Sequence, residues 1–222
     1  MDVLVTGCDT DLGRAIAESF SEAGHKVVLA GSRREELEVA AKELDAEAIV
    51  VDGTDPASVA AAQSQLPAHL DAVVNVPAPH WSGDPRTYSL ADHAAEWRGV
   101  FDTTLLAAVL AVQVLGDHLR SGGAIVTVIP DPAAEGSAAA AVKAAVSAWT
   151  AGQADHFGIR GITINAVAAG RGAESGYQGL DAQTPAVSAE IARLALFLST
   201  PAARHITGQT LHVSHGALAN FG

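Results

Sequence analysis

A single cysteine, Cys8, leaves the chain no partner for an internal disulfide, which fits a reducing compartment. Tyrosine is almost as scarce, with Tyr88 and Tyr177 the only two. Basic residues are few as well: 13 Lys and Arg stand against 25 Asp and Glu, a net charge of −12. Such a surface repels phosphate backbones and anionic lipid, so neither nucleic acid nor membrane is expected as a partner. Long apolar runs are also missing. The longest, Leu105 to Val112, falls well short of the ~20 residues that cross a bilayer. Met1 and Asp2 lead straight into the apolar "VLV" with no basic region ahead of a hydrophobic one, so a cytoplasmic protein without a signal peptide is expected. No group of His, Cys and carboxylates has ligand spacing, and no metal site is expected.

What the 222 residues do contain is an alternation of short β-branched runs with longer Ala-rich segments of helical period. That alternation predicts a parallel sheet with helices on both faces. The expected fold is α/β: one domain over residues 1–222, a Rossmann-type doubly wound sheet of about seven strands. The strands are expected at Val3 to Gly7, Lys26 to Gly31, Ala46 to Asp52, Leu70 to Val76, Ala124 to Ile129, Gly161 to Val167 and Gln209 to Ser214. Between them the helices are expected at Gly13 to Ala23, Glu35 to Leu44, Pro56 to Leu66, Leu90 to Leu119 with a break near Gly99, around "GSAAAAVKAAVSAW", and Ser188 to Leu198. Loops after the first, fourth, fifth and sixth strands then meet at the carboxyl edge, where open α/β sheets bind ligands.

Three segments carry a family likeness. "TGCDTDLG", "HFGIRGITINAVAAGR" and "EIARLALFLSTPAARHITGQTLHVSHG" resemble stretches of the short-chain dehydrogenase/reductase (SDR) family, and the resemblance runs the length of the chain. It implies NAD(P)-dependent carbonyl or alcohol chemistry and a dimer or tetramer. In the family's nucleotide loop, Thr-Gly-x-x-x-Gly-x-Gly, Thr6, Gly7 and Gly13 match while Asp11 replaces the middle glycine. A carboxylate there caps the following helix and meets a pyrophosphate with like charge. Two unit charges ~4 Å apart cost about 1 kcal/mol in water and about 4 at an effective dielectric of 20. Arg14 could offset part of this. Asp52 matches the family aspartate near adenine, or is a turn residue. Arg33 and Arg34 after the second strand favour the 2′-phosphate of NADP(H), or pair in solvent with Glu35 and Glu36. Of the family's Asn-Asn-Ala-Gly, read here as "NVPA", only Asn75 survives.

The family's catalytic Asn, Ser, Tyr and Lys fall at Thr104, Pro130, Ala139 and Lys143. Lys143 alone is kept, and it is either a ribose ligand or an inherited surface lysine. As substitute groups the chain offers Tyr177, where the family's substrate lid lies, and His80, Trp81, Asp131, Glu135 and Ser137 on the loops after the fourth and fifth strands. Nothing about Cys8 suggests an activated thiolate. These positions lead to an SDR-fold protein without conventional dehydrogenase activity, serving regulation, ligand sensing or assembly, as a homo-oligomer or beside an active homologue. The alternative is an NAD(P)(H)-dependent oxidoreductase with non-standard catalytic residues. The cofactor is expected to be NADP(H), weakened by Asp11, or none.

Overall fold

The computed structural model describes residues 1–78, 85–129, 137–169 and 187–213. The β-branched runs form seven strands: β1 (Asp2–Val5), β2 (Lys26–Gly31), β3 (Glu47–Val50), β4 (Leu70–Asn75), β5 (Leu119–Ile129), β6 (Thr163–Ala169) and β7 (Thr210–Val213). They lie in the order β3-β2-β1-β4-β5-β6-β7, and every neighbouring pair is parallel. Between them run α1 (Asp11–Glu22), α2 (Arg34–Leu44), α3 (Pro56–Ala62), α4 (Leu90–Val100), α5 (Ala107–Leu115), α6 (Ala138–Gly158) and α7 (Val187–Leu198). This is the doubly wound Rossmann-type sheet that the alternation predicts.

Strand side chains point alternately to the two faces. Val3 and Val5 join Ile16, Phe20, Leu37 and Ile191 under α1, α2 and α7, whereas Leu4 joins Val112, Leu115 and Phe157 on the other face. Because both faces are covered, the strands read as unbroken apolar runs. The chain leaves β1 towards β2 on one side and returns to β4 on the other, so the switch in winding lies between β1 and β4, where such sheets open a crevice.

Several boundaries differ from expectation. Helix α1 is capped by Thr10, whose hydroxyl accepts from the Gly13 N–H at 3.1 Å; Asp11 is its first residue and is exposed. Both side chains suit a cap, and the register of the turn decides for Thr10. The helical run after β4 does not break at Gly99. It continues into a π-helical stretch, Phe101–Leu106, where the Thr103 hydroxyl donates to the Gly99 carbonyl at 2.8 Å. It ends at Leu115, because Leu119 already pairs with Leu70 as the first residue of β5. The run Leu90–Leu115 is long enough to cross a membrane and contains an 18-residue window with a mean hydropathy of 1.5, apolar enough by composition to do so. Charges such as Arg98 and Asp102 interrupt it, so it holds no unbroken apolar stretch of spanning length.

At the amino edge the sheet is fastened by charge. Asp71 accepts from the Asp2 backbone N–H at 2.7 Å and from Arg120 at 2.8 Å, joining β1, β4 and β5. Burial raises the Asp71 pKa, but the Asp2 N–H and Arg120 outweigh it and hold the carboxyl below the usual range.

Candidate functional site

The carboxyl edge begins with the turn after β1. Gly7 sits at φ +63°, and a Cβ there would lie 2.5 Å from the Val76 carbonyl oxygen. A Cβ on Gly13 would strike the Gly7 carbonyl. Both positions therefore require glycine for the chain to turn tightly into α1. Thr6 closes the turn against β4: its hydroxyl accepts from the Val76 N–H at 2.9 Å and lies 3.2 Å from the Val76 carbonyl. Cys8 is fully buried and donates to the Val5 carbonyl at 3.1 Å. Burial pushes its thiol up to about 12, so no activated thiolate exists here.

The same loop holds a group that reading the motif did not single out. Asp9, with 1% of its side chain exposed, reaches across to the end of β2. Its Oδ2 accepts from the Ser32 N–H at 3.1 Å, the Ser32 hydroxyl at 3.1 Å, the Arg33 N–H at 2.9 Å and Arg33 Nε at 3.4 Å. The Arg33 guanidinium also donates to the Asp9 carbonyl and pairs with Glu36 at 3.1 Å. Gly31 makes the room, since a Cβ there would stand 2.7 Å from Asp9 Oδ1. The sequence signal was a second acid, three residues after Thr6 and facing a glycine on the next strand.

The other arginines also find protein partners. Arg14 does not turn to Asp11 but pairs with Glu43 on α2 at 3.5 Å, and Arg34 pairs with Glu38 at 3.4 Å. Arg33 is committed to Asp9 and Glu36, so of the expected solvent pairings with Glu35 and Glu36 only the second forms.

Over the carboxyl ends of β1 to β4, against α3, α5 and the π-helical stretch, lies a cleft whose empty space, open solvent at its mouth included, is about 850 Å³. Thr6, Gly7, Asp9, Gly31, Ser32, Asp52, Asn75 and Thr104 line it, above an apolar floor that includes Leu4 and Ala30. Gly13, Arg14, Arg33 and Lys143 do not. Asp52 is a turn residue, its Oδ1 accepting from the Thr54 N–H at 2.9 Å and the Thr54 hydroxyl at 2.7 Å, and it lines the cleft as well. Asn75 is 4% exposed, yet neither its Oδ1 nor its Nδ2 has a partner among the described residues. Asn165 on β6, equally buried, has both filled, by Gln209 N–H at 3.1 Å and the Ile206 carbonyl at 2.7 Å. Buried amides are normally satisfied, so an unsatisfied one on a cleft marks a place for a ligand's polar atoms. Asp9 Oδ1 is a second such atom.

The catalytic half of the family pattern is sparse. Thr104 lies in the π-helical stretch, a distortion frequent at functional sites. Ala139 and Lys143 are one turn apart on α6, which Ser137 caps by accepting from the Ala140 N–H at 3.2 Å. Ser137 is thus a cap. Lys143 is half-buried; partial burial of the His212 imidazole on β7 and, second to it, the Lys143 charge hold that ring below its ordinary pKa. His80, Trp81, Pro130, Asp131, Glu135 and Tyr177 lie outside the described residues. Among the described residues no group of three or more His, Cys, Asp or Glu could hold a metal ion.

A parallel sheet in this order, with a glycine turn after its first strand and a cleft at the switch of winding, defines a Rossmann-type nucleotide-binding fold. A family model described as enoyl-(acyl carrier protein) reductase matches residues 8–217. The chain belongs to the short-chain dehydrogenase/reductase family. A protein of Mycobacterium tuberculosis (strain CDC 1551 / Oshkosh), named as a candidate oxidoreductase, is 63% identical over 223 residues covering 100% of both chains. The 3-oxoacyl-acyl-carrier-protein reductase of Escherichia coli K12 is 29% identical over 96% of this chain and 95% of its own. Among solved structures, a blue fluorescent protein from a metagenomic library in complex with NADPH superposes with a TM-score of 0.78, at 25% identity and 98% coverage of each chain.

The polar lining of the cleft offers hydrogen-bonding groups of the kind that the adenosine portion of a nicotinamide dinucleotide requires. Asp9 Oδ1 and the Asn75 amide are buried polar groups without partners among the described residues, and both residues line the cleft beside the glycine turn. Lys143, which the family resemblance places at the nicotinamide end, does not line this cleft.

Proposed function

We propose that this SDR-family protein binds a nicotinamide dinucleotide in the cleft between β1 and β4 and does not perform the family's tyrosine-dependent carbonyl reduction. Its role is then ligand sensing, regulation or assembly. The observation that carries this reading is Ala139. It stands one helical turn before Lys143, where the family's phenol would share a helix face with the lysine, and it has no proton to give.

When bound, the dinucleotide supplies or accepts a hydride. The chain's own residues would hold it: Asn75 and Asp52 at the adenosine end, the Gly7 turn beside the pyrophosphate, and Lys143 at a ribose. Asp11, exposed in the first turn of α1, weakens that binding by its charge. A positioned general acid is typically worth ~10²–10⁴-fold in rate. Loss of the tyrosine, together with proline in place of the family serine, therefore leaves ordinary ketone reduction at least ~10²-fold below a conventional member. Installing Ala139→Tyr with Pro130→Ser should raise oxidation of the reduced cofactor with a generic ketone by a similar factor, read spectrophotometrically. Wild-type turnover at the rate of conventional family members would overturn the reading.

A second reading, an oxidoreductase with substitute residues, is favoured by the candidate oxidoreductase name of the 63% identical relative. Its acid would be Tyr177 and its remaining family group Lys143. Under it, Tyr177→Phe abolishes a turnover that wild type displays. Self-association as a dimer or tetramer, a hetero-oligomer with an active homologue, and a cytoplasmic location belong to the same proposal. Co-purification from the native cells tests the hetero-oligomer, and recovery of homo-oligomers alone would reject it.

A further inference from the structure

Arg33 follows the second strand, where an arginine suits a ribose 2′-phosphate, so its presence argues for NADP(H). The arrangement around it points the other way. We infer that Asp9 is the group that selects the nucleotide: its carboxylate occupies the anion site at the end of β2, so the cleft takes a ribose bearing free 2′- and 3′-hydroxyls and rejects one bearing a 2′-phosphate. The inference rests on the dinucleotide reading above and assigns the choice within it.

The donors that a 2′-phosphate would use are already engaged. The Ser32 N–H, the Ser32 hydroxyl, the Arg33 N–H and Arg33 Nε all converge on Asp9 Oδ2 within 2.9–3.4 Å. Arg33 cannot be diverted cheaply, because a carboxylate with 1% of its side chain exposed would lose its cation. An incoming phosphate would therefore find an anion where it needs donors.

The other oxygen of the same carboxylate offers the opposite chemistry. Asp9 Oδ1 is buried, lacks a hydrogen-bond partner among the described residues, and belongs to a residue lining the cleft. An ionised carboxylate only accepts, and a ribose diol has two O–H groups to donate. A 2′-phosphate has acceptors alone to present at neutral pH and carries about −1.5 to −2 charge. Gly31 completes the device: any side chain there would collide with Oδ1, so the glycine on β2 holds the place for an acid delivered from the loop after β1.

The test compares NADH with NADPH, and ADP-ribose with its 2′-phosphate, by calorimetric titration of wild type, Asp9→Ser and Asp9→Asn, with thermal unfolding to check that each variant is folded. Wild type should bind the unphosphorylated member of each pair at least tenfold tighter. Asp9→Ser should narrow or invert the ratio, chiefly by tightening NADPH, and Asp9→Asn, nearly the same shape without the charge, should narrow it too. If either variant fails to fold, the wild-type ratios and the other variant decide. Wild type binding NADPH as tightly as NADH overturns the inference and leaves the dinucleotide reading intact. An NADH preference unchanged in both folded variants also overturns it, since another group would then set the choice. No binding by wild type but NADPH binding by Asp9→Ser upholds Asp9 as the barrier and overturns the dinucleotide reading. No binding by any of the proteins overturns both.

Discussion

At the scale of single residues, the nucleotide loop shows how one fold position can carry chemistry that its motif does not announce. Cys8 and Asp9 are neighbours and both are buried, yet one is inert and the other is an anion that accepts from both Ser32 and Arg33. With its thiol pushed up to about 12, Cys8 is ionised in only about one molecule in ten thousand at pH 8. It should resist alkylation by iodoacetamide in the native protein and react fully once urea unfolds the chain. Rapid native labelling would show the loop opening. Asp9 was not legible in the sequence for a physical reason. Its burial depends on Gly31, which lies on another strand, and the acid that the motif does flag, Asp11, ends up exposed. Gly7 and Gly13, in contrast, were legible because a tight turn out of a first strand needs glycine at that spacing: a Cβ on either would strike backbone, and Gly7 and Asn75 line the cleft.

At the scale of elements, the strands were legible and their ends less so. Runs such as Val27 to Ala30 are apolar on both faces because helices cover both, and that pattern needs no partner to be recognised. The start of β5 was hidden because Arg120, Ser121, Gly122 and Gly123 carry no strand pattern; the pairing of Leu119 with Leu70 and the bonds of Arg120 recruit them. The same Arg120 makes acid stability a property of the amino edge. A carboxyl held below its usual pKa stabilises the fold fully above its unfolded-state value of about 4 and loses that contribution as pH falls through the folded value. Asp71→Asn should therefore cost about 1–2 kcal/mol at pH 7 and far less at pH 2, measured by urea unfolding at both. An equal cost at both pH values would show that Asp71 acts through packing.

At the scale of the molecule, the two edges of the sheet have different tasks. The amino edge is fastened by Asp2, Asp71 and Arg120, while the carboxyl edge holds a cleft with unsatisfied polar atoms. Away from both, α4 and the π-helical stretch after it leave Leu90, Trp97 and Phe101 89%, 47% and 44% exposed along one helical face. An apolar stripe of this kind suits a second copy of the chain. Light scattering at tens of micromolar should find a dimer or tetramer, and Trp97→Glu with Phe101→Glu should yield a folded monomer. A monomeric wild type would instead leave the stripe for a different protein. How the stripe is presented depends on Phe101–Leu106. A π turn is an α-helix with one residue to spare, so the flanking segments Leu90–Val100 and Ala107–Leu115 already keep the phase they would have without it. Removing one residue from within that stretch should let the helix anneal into regular turns, whereas the same deletion elsewhere in α4 or α5 rotates everything beyond it by about 100°. This part of the molecule can change its length by one residue and keep both its faces.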